Sequence, residues 1–120
     1  MKRDMDLVRK LVFAIDESNH GFAPRKIVVE GFTEEQIGYH LSIMFEAGLI
    51  TVFTLTSQGS SSPEVRAKSL TWAGHEFADA ARSDSLWNKA KSTVKEKFGS
   101  VSISLLTQYL QSLAKSALGM

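Results

Sequence analysis

The chain has 120 residues, 43% hydrophobic and 22% charged, with a formal net charge of +1 and no cysteine. That length supports a single hydrophobic core, and the missing cysteines exclude disulfide frameworks, thiolate metal sites and Cys nucleophiles. No apolar run approaches the ~20 residues of a membrane span, and Met1-Lys2-Arg3-Asp4 leads into an amphipathic pattern rather than a signal sequence, so a cytoplasmic protein without membrane attachment is expected.

Asp4 reads as an N-cap, and Val8, Leu11, Val12 and Ile15 follow at the spacing of one buried helical face. Ser18-Asn19-His20-Gly21 ends that helix. Lys26-Ile27-Val28-Val29-Glu30, after Pro24, is a β-branched run that predicts a brief strand. Thr33 with Gln36 predicts a capping box, and Glu34 and Glu35 stand where a helix dipole favours anions. Ile37, Leu41, Met44 and Phe45 make that helix's core stripe, and Gly48 suits its C′ position.

Leu49 to Thr56 predicts a strand, Gln58-Gly59-Ser60-Ser61-Ser62-Pro63 a polar hairpin tip, and Val65 to Leu70 the returning strand with Arg66 and Lys68 outward. Thr71 then caps a helix with Ala73, Phe77, Ala80 and Ala81 inward. Ser83 or Asp84 caps another, with Trp87, Ala90, Val94 and Phe98 in its buried row and Gly99 as its stop. Ser102 starts a last helix with a broad apolar face: Ile103, Leu105, Leu106, Tyr109, Leu110, Leu113 and Ala117. The whole predicts an α+β fold: a winged-helix-like domain of a helix, a small three-stranded antiparallel sheet with a wing hairpin, and further helices. Residues 1–82 form the winged-helix-like unit and 83–120 a C-terminal helical extension of the same single domain.

Several blocks carry a resemblance. They are Met1-Lys2-Arg3-Asp4-Met5-Asp6-Leu7, then Tyr39-His40-Leu41 leading to Glu46-Ala47-Gly48-Leu49-Ile50. Leu70-Thr71-Trp72-Ala73-Gly74-His75-Glu76-Phe77 with Asp79 and Arg82 follows, and Trp87-Asn88-Lys89 closes the series. On these the chain resembles a family of uncharacterised bacterial, phage and mobile-element proteins, a domain of unknown function. The resemblance implies a winged-helix-like domain and a gene that travels with mobile DNA; it implies no activity. More loosely, His40-Leu41 to Ile50 and Leu70-Thr71 to Gly74 are similar to the recognition-helix end and post-wing junction of bacterial winged-helix repressors.

Two features argue against DNA reading. A helix-turn-helix needs two helices, whereas the stretch from Glu30 to Gly48 has room for one helix of about four turns. That helix also carries Glu34, Glu35 and Glu46 and no Lys or Arg, against a polyanion whose binders typically neutralise about six to ten phosphates. The candidate nucleic-acid contacts are Gln36 and His40 for base edges, with Arg66 and Lys68 for the backbone. Residues 1–62 hold six basic and eight acidic side chains and residues 63–120 eight and five, a weak asymmetry.

Tyr39, Ile43 and Ala47 form a second stripe on the same helix, and Leu105 and Tyr109 lie off the main stripe of the last one. Tyr39, Ile43, Leu105 and Tyr109 are therefore the candidate partner surface, with burial within the chain as the alternative. The breadth of the last helix favours a homodimer through 102–118. His75, Glu76 and Asp79 could be a metal half-site, with His75 and Asp79 on one helical face, but a site needs three or four ligands and the other two histidines, His20 and His40, lie in different elements. No Ser-His-Asp arrangement, nucleophile elbow or phosphate-cradling glycine loop is present. No catalytic, metal or cofactor residue is assigned. Trp72 and Trp87 are expected to pack helices against the core, and the basic face of Asn88, Lys91 and Lys95 to be solvated. The expected function is that of a small non-enzymatic regulatory or adaptor protein binding another protein, with a DNA-binding regulator as the alternative.

Overall fold

The computed structural model describes residues 1–54, 65–99 and 102–117. Their elements run α1 (Met5–Asp16), α2 (Glu34–Glu46), β1 (Ile50–Thr54), β2 (Val65–Leu70), α3 (Trp72–Ala80), α4 (Asp84–Phe98) and α5 (Ile103–Ala117). The architecture is mixed α+β. The chain divides into two compact units, Met1–His75 and Glu76–Met120, and the division falls inside α3.

In the first unit α1 begins where Asp4 accepts from the N–H groups of Asp6 and Leu7, at 2.9 and 3.2 Å. Its spacing then buries Leu7, Val8, Leu11, Val12 and Ile15. α2 has the full capping box: Thr33 Oγ1 accepts from Gln36 N–H at 3.1 Å, and Gln36 Oε1 accepts from Thr33 N–H at 2.9 Å. It buries Ile37, His40, Leu41 and Met44, whereas Phe45, expected in that stripe, is 50% exposed. The helix ends in a Schellman motif, with Gly48 N–H bonded to Phe45 O and Leu49 N–H to Met44 O, both at 3.0 Å. Gly48 has φ 80°, left-handed space that a β-branched residue resists.

β1 and β2 pair antiparallel with an irregularity between Thr51 and Val52. Thr51 faces Ser69 and Val52 faces Ala67, which leaves Lys68 as the extra residue of a bulge. The bulge breaks the period of two, so the buried residues of β2 are Ala67 and Leu70, three apart. On the other face the Thr51 and Ser69 hydroxyls meet at 2.8 Å, and the Arg66 and Lys68 cations each stand 5.3 Å from the Phe53 ring centre. The hairpin tip expected at 58–63 and the end of the strand expected to reach Thr56 lie outside the described residues.

The third strand is not present among the described residues: Lys26–Glu30 is not in a ladder, and the sheet is two-stranded. The chain does reach the outer edge of β2, where Ala23 N–H donates to Lys68 O at 2.7 Å. Pro24 follows at once with its fixed φ, and among the described residues the segment makes no ladder with β2 beyond that bond. Val28, in the middle of the β-branched run, is 76% exposed.

α3 starts at a junction that ties three elements. Thr71 N–H donates to Leu49 O at 2.9 Å, Thr71 Oγ1 donates to Gly48 O, and the same oxygen accepts from Gly74 N–H at 3.1 Å. Gly74 is required here, because a Cβ would be driven into the Leu49 carbonyl.

In the second unit the later turns of α3 bury Phe77 and Ala78, and Ala81 just past its end is buried as well. Ser83 caps α4 through Leu86 N–H at 3.3 Å, and Ser102 does the same for α5 through Leu105 N–H at 3.3 Å. Trp87 stands edge-on to Phe77, with centroids 5.8 Å apart and planes at 84°. Trp87, Ala90, Val94, Leu106 and Leu110 are buried, but Phe98, expected at the end of that row, is exposed. Fully burying Leu106 and Leu110 is worth roughly 1.5–3 kcal/mol each relative to exposure.

Candidate functional site

Of the residues expected to read bases, Gln36 and His40 both have partners within the chain. His40 is only 2% exposed. Its Nε2 accepts from Asp4 N–H at 2.9 Å, and its Nδ1 lies 2.8 Å from Gln36 O. An amide can only donate and a carbonyl only accept, so the pattern selects the neutral ring with hydrogen on Nδ1. His40 is thus an internal tie between the start of α1 and the middle of α2. Gln36 spends its side-chain oxygen on the capping box. Arg66 and Lys68 flank Phe53 on the hairpin face, where the basic pair expected from sequence is retained.

Tyr39 and Ile43 are half-buried in the first unit, and Tyr39 meets the His40 ring edge-on at 5.8 Å. Leu105 and Tyr109, half-buried in the second unit, line an open cleft of about 280 Å³ with Val94 and Phe98 of α4. The flank that sequence spacing left without a surface therefore faces α4. His75 and Asp79 take separate partners: His75 Nδ1 lies 3.5 Å from Asp16, and Asp79 accepts from Arg82 at 3.2 Å. Among the described residues no three His, Cys, Asp or Glu side chains cluster as metal ligands. Nor is any described helix long and apolar enough to cross a membrane.

Two features of the first unit stand out instead. One is aromatic. Trp72, the first residue of α3, is 81% exposed rather than packed in the core, beside the Thr71–Gly48 junction that follows Phe45. Large exposed aromatics on a fixed backbone are the usual anchors of protein interfaces. The sequence did hold a signal for this: Trp72 shares a helical stripe with His75, Glu76 and Asp79, all exposed.

The other feature is a cleft of about 200 Å³ between the segment 24–27, α2 and the outer edge of β2. Ile37 and Leu41 give it an apolar wall, Val65 to Ala67 form one rim, and Arg25, Lys26 and Arg66 bring positive charge. Glu34 also lines it, paired to the Lys26 ammonium at 2.6 Å. That hydrogen bond, and then the charge attraction, hold the Glu34 carboxyl below its ordinary pKa and the Lys26 ammonium above its own. Both groups are exposed, so the pair adds little stability. The Arg66 Nε is shut off from solvent with no hydrogen-bond partner among the described residues.

Residues 2–101 match DUF2513, a family of hypothetical proteins. An uncharacterized protein of Haemophilus influenzae (strain ATCC 51907 / DSM 11121 / KW20 / Rd) is 32% identical over 121 residues, an alignment covering 98% of this chain and 99% of the relative. No solved structure matches the chain. The chain belongs to the DUF2513 family.

Proposed function

We propose that this DUF2513 protein is a small non-enzymatic regulatory or adaptor protein of the cytoplasm that works by binding a protein partner. The observation that carries the reading is the exposure of Trp72 on a helix start fixed by three hydrogen bonds. A rigid backbone presenting a wet indole loses little entropy on docking and gains much from burial. Phe45, in the last turn of α2, is a further exposed aromatic of the first unit. The reading keeps a winged-helix-like arrangement, in which α2, the hairpin and α3 follow in the right order, and a mobile-element origin, which rests on sequence resemblance alone.

Affinity capture with quantitative cross-linking in the native host tests it. Wild-type protein is expected to retain a stoichiometric protein partner that Trp72→Ala loses at an unchanged melting temperature. Capture that is the same for both forms would overturn it.

Arg66 and Lys68 on the hairpin favour the second reading, a DNA-binding regulator. Phosphate contacts lower the logarithm of the binding constant by about 0.9 per contact for each decade of salt. Titration of a random duplex across a salt series is expected to give a slope near zero for this protein. A slope of several units that Arg66→Gln and Lys68→Gln reduce would favour the DNA reading.

A further inference from the structure

We propose that the cleft beside β2 is a docking slot for a short, extended, acidic segment of the partner protein, which adds to β2 as a third strand. The proposal rests on the protein-binding reading and supplies a second point of attachment, separate from Trp72.

The argument starts from the sheet. A two-stranded hairpin leaves the far edge of β2 as a template for another strand. Among the described residues that edge takes one backbone hydrogen bond from outside the hairpin, Ala23 N–H to Lys68 O. Beyond it the chain running 24–27 parts from β2 and the cleft opens between them, along Val65 to Ala67. Three residues of strand span about 10 Å. The opening of about 200 Å³ suits a short stretch rather than a long one.

The chemistry of the walls selects the guest. Ile37 and Leu41 offer an apolar surface to one side chain of the added strand. Arg25, Lys26 and Arg66 outnumber Glu34, and Glu34 is already held by Lys26. Arg66 adds the more specific demand, because its Nε is buried and unbonded. A carboxylate is the acceptor that matches a guanidinium best, and the bond would be charge-assisted. Main-chain pairing with β2 gives affinity and the carboxylate gives selectivity, the usual division of labour when a strand is added to a sheet.

The probe is a blocked heptapeptide alternating Val and Glu, compared with its Val and Lys counterpart. A third peptide carries N-methyl groups on the Val–Glu backbone at alternate amides. Binding is followed by fluorescence anisotropy and by the amide resonances of Val65, Arg66 and Ala67 in the full chain. The acidic peptide is expected to bind and to shift those resonances. The basic and the N-methylated peptides are each expected to bind at least about tenfold more weakly. Arg66→Gln is expected to cost about tenfold in affinity for the acidic peptide, the scale of one hydrogen bond to a charged group. Because Arg66 also stacks on Phe53, the double variant Arg25→Gln, Lys26→Gln serves as a second test and is expected to weaken binding at unchanged melting temperature. Equal binding of the acidic and basic peptides, insensitivity to N-methylation, or shifts confined to other residues would each overturn the slot. Displacement of the peptide by a single-stranded oligonucleotide with the same amides shifted would overturn it too. If Trp72→Ala abolishes partner capture while the acidic peptide fails to bind, the slot is refuted and the protein-binding reading stands. If the peptide binds as expected but capture ignores Trp72, the slot stands and the Trp72 surface is refuted.

Discussion

The starts of α3 and α4 each carry a tryptophan after a hydroxyl cap, yet Trp72 is 81% exposed and Trp87 1%. Both helices are capped alike, by Thr71 Oγ1 to Gly74 N–H and by Ser83 Oγ to Leu86 N–H. The difference is helical phase. Trp87 is the fourth residue of α4 and heads the row Ala90, Val94 at i+3 and i+7, which is buried. Trp72 is the first residue of α3, and its row is His75, Glu76 and Asp79. The buried row of α3 is Gly74, Phe77 and Ala78, continued by Ala81 just past its end. A large aromatic near a helix start thus says little by itself; the residues three, four and seven further on decide where it goes.

This contrast can be broken by mutation. Trp87→Ala is expected to cost about 3–5 kcal/mol, since it removes a filled core position and the edge contact with Phe77. Trp72→Ala is expected to stay within about 0.5 kcal/mol of wild type. Urea unfolding of the full chain measures both, and similar losses would show that Trp72 packs as Trp87 does.

Gly74→Ala comes next, at about 1–3 kcal/mol, because the new methyl group meets a backbone carbonyl that cannot swing away. Thermal melts check this, and an unchanged melting temperature would mean that α3 enters at a different angle. The caps follow. Ser83→Ala is expected to cost about 1 kcal/mol. Thr71→Val is expected to cost more, since it also breaks the hydroxyl bond to Gly48 O. Equal shifts in the two melts would place the junction outside the stability of the first unit.

The gentlest test leaves the fold intact. With Trp87→Phe the remaining indole is expected to emit at long wavelength and be quenched by acrylamide. With Trp72→Phe it is expected to emit at short wavelength and resist quenching. Matching quenching constants in the two variants would contradict the exposures that set these helices apart.

Much of the local structure was legible in the sequence because caps and stops are short-range chemistry. Asp4, the Thr33–Gln36 box, Gly48, Ser83, Gly99 and Ser102 all stand at helix ends where their residue types place them. What was not legible depended on neighbours. The β-branched run 26–30 reads as a strand, but among the described residues the contact with β2 is the one bond from Ala23 to Lys68, and Pro24 follows it. Phe45 and Phe98 fit their helical stripes by spacing, yet each lies in the last turn of its helix and is exposed. His40 looked like a surface reader on an outward position. Burial of its ring required Asp4, 36 residues away, and no local pattern reports that distance. The candidate surfaces follow the same division. The basic pair on the hairpin was visible in the alternation of β2, whereas the cleft needed the course of residues 24–27.

The bond between Asp4 and His40 has one more consequence, for how the chain opens. The first residues of a domain ordinarily fray, and their amides exchange with solvent almost freely. Here the Asp4 amide hydrogen points into a buried imidazole that α2 holds in place. It cannot exchange until that ring withdraws, so its exchange rate follows the unfolding of α2 rather than local motion at the N-terminus. The front end of α1 and the middle of α2 are therefore expected to open together, with slow hydrogen exchange at the Asp4 amide as the measurement that checks it.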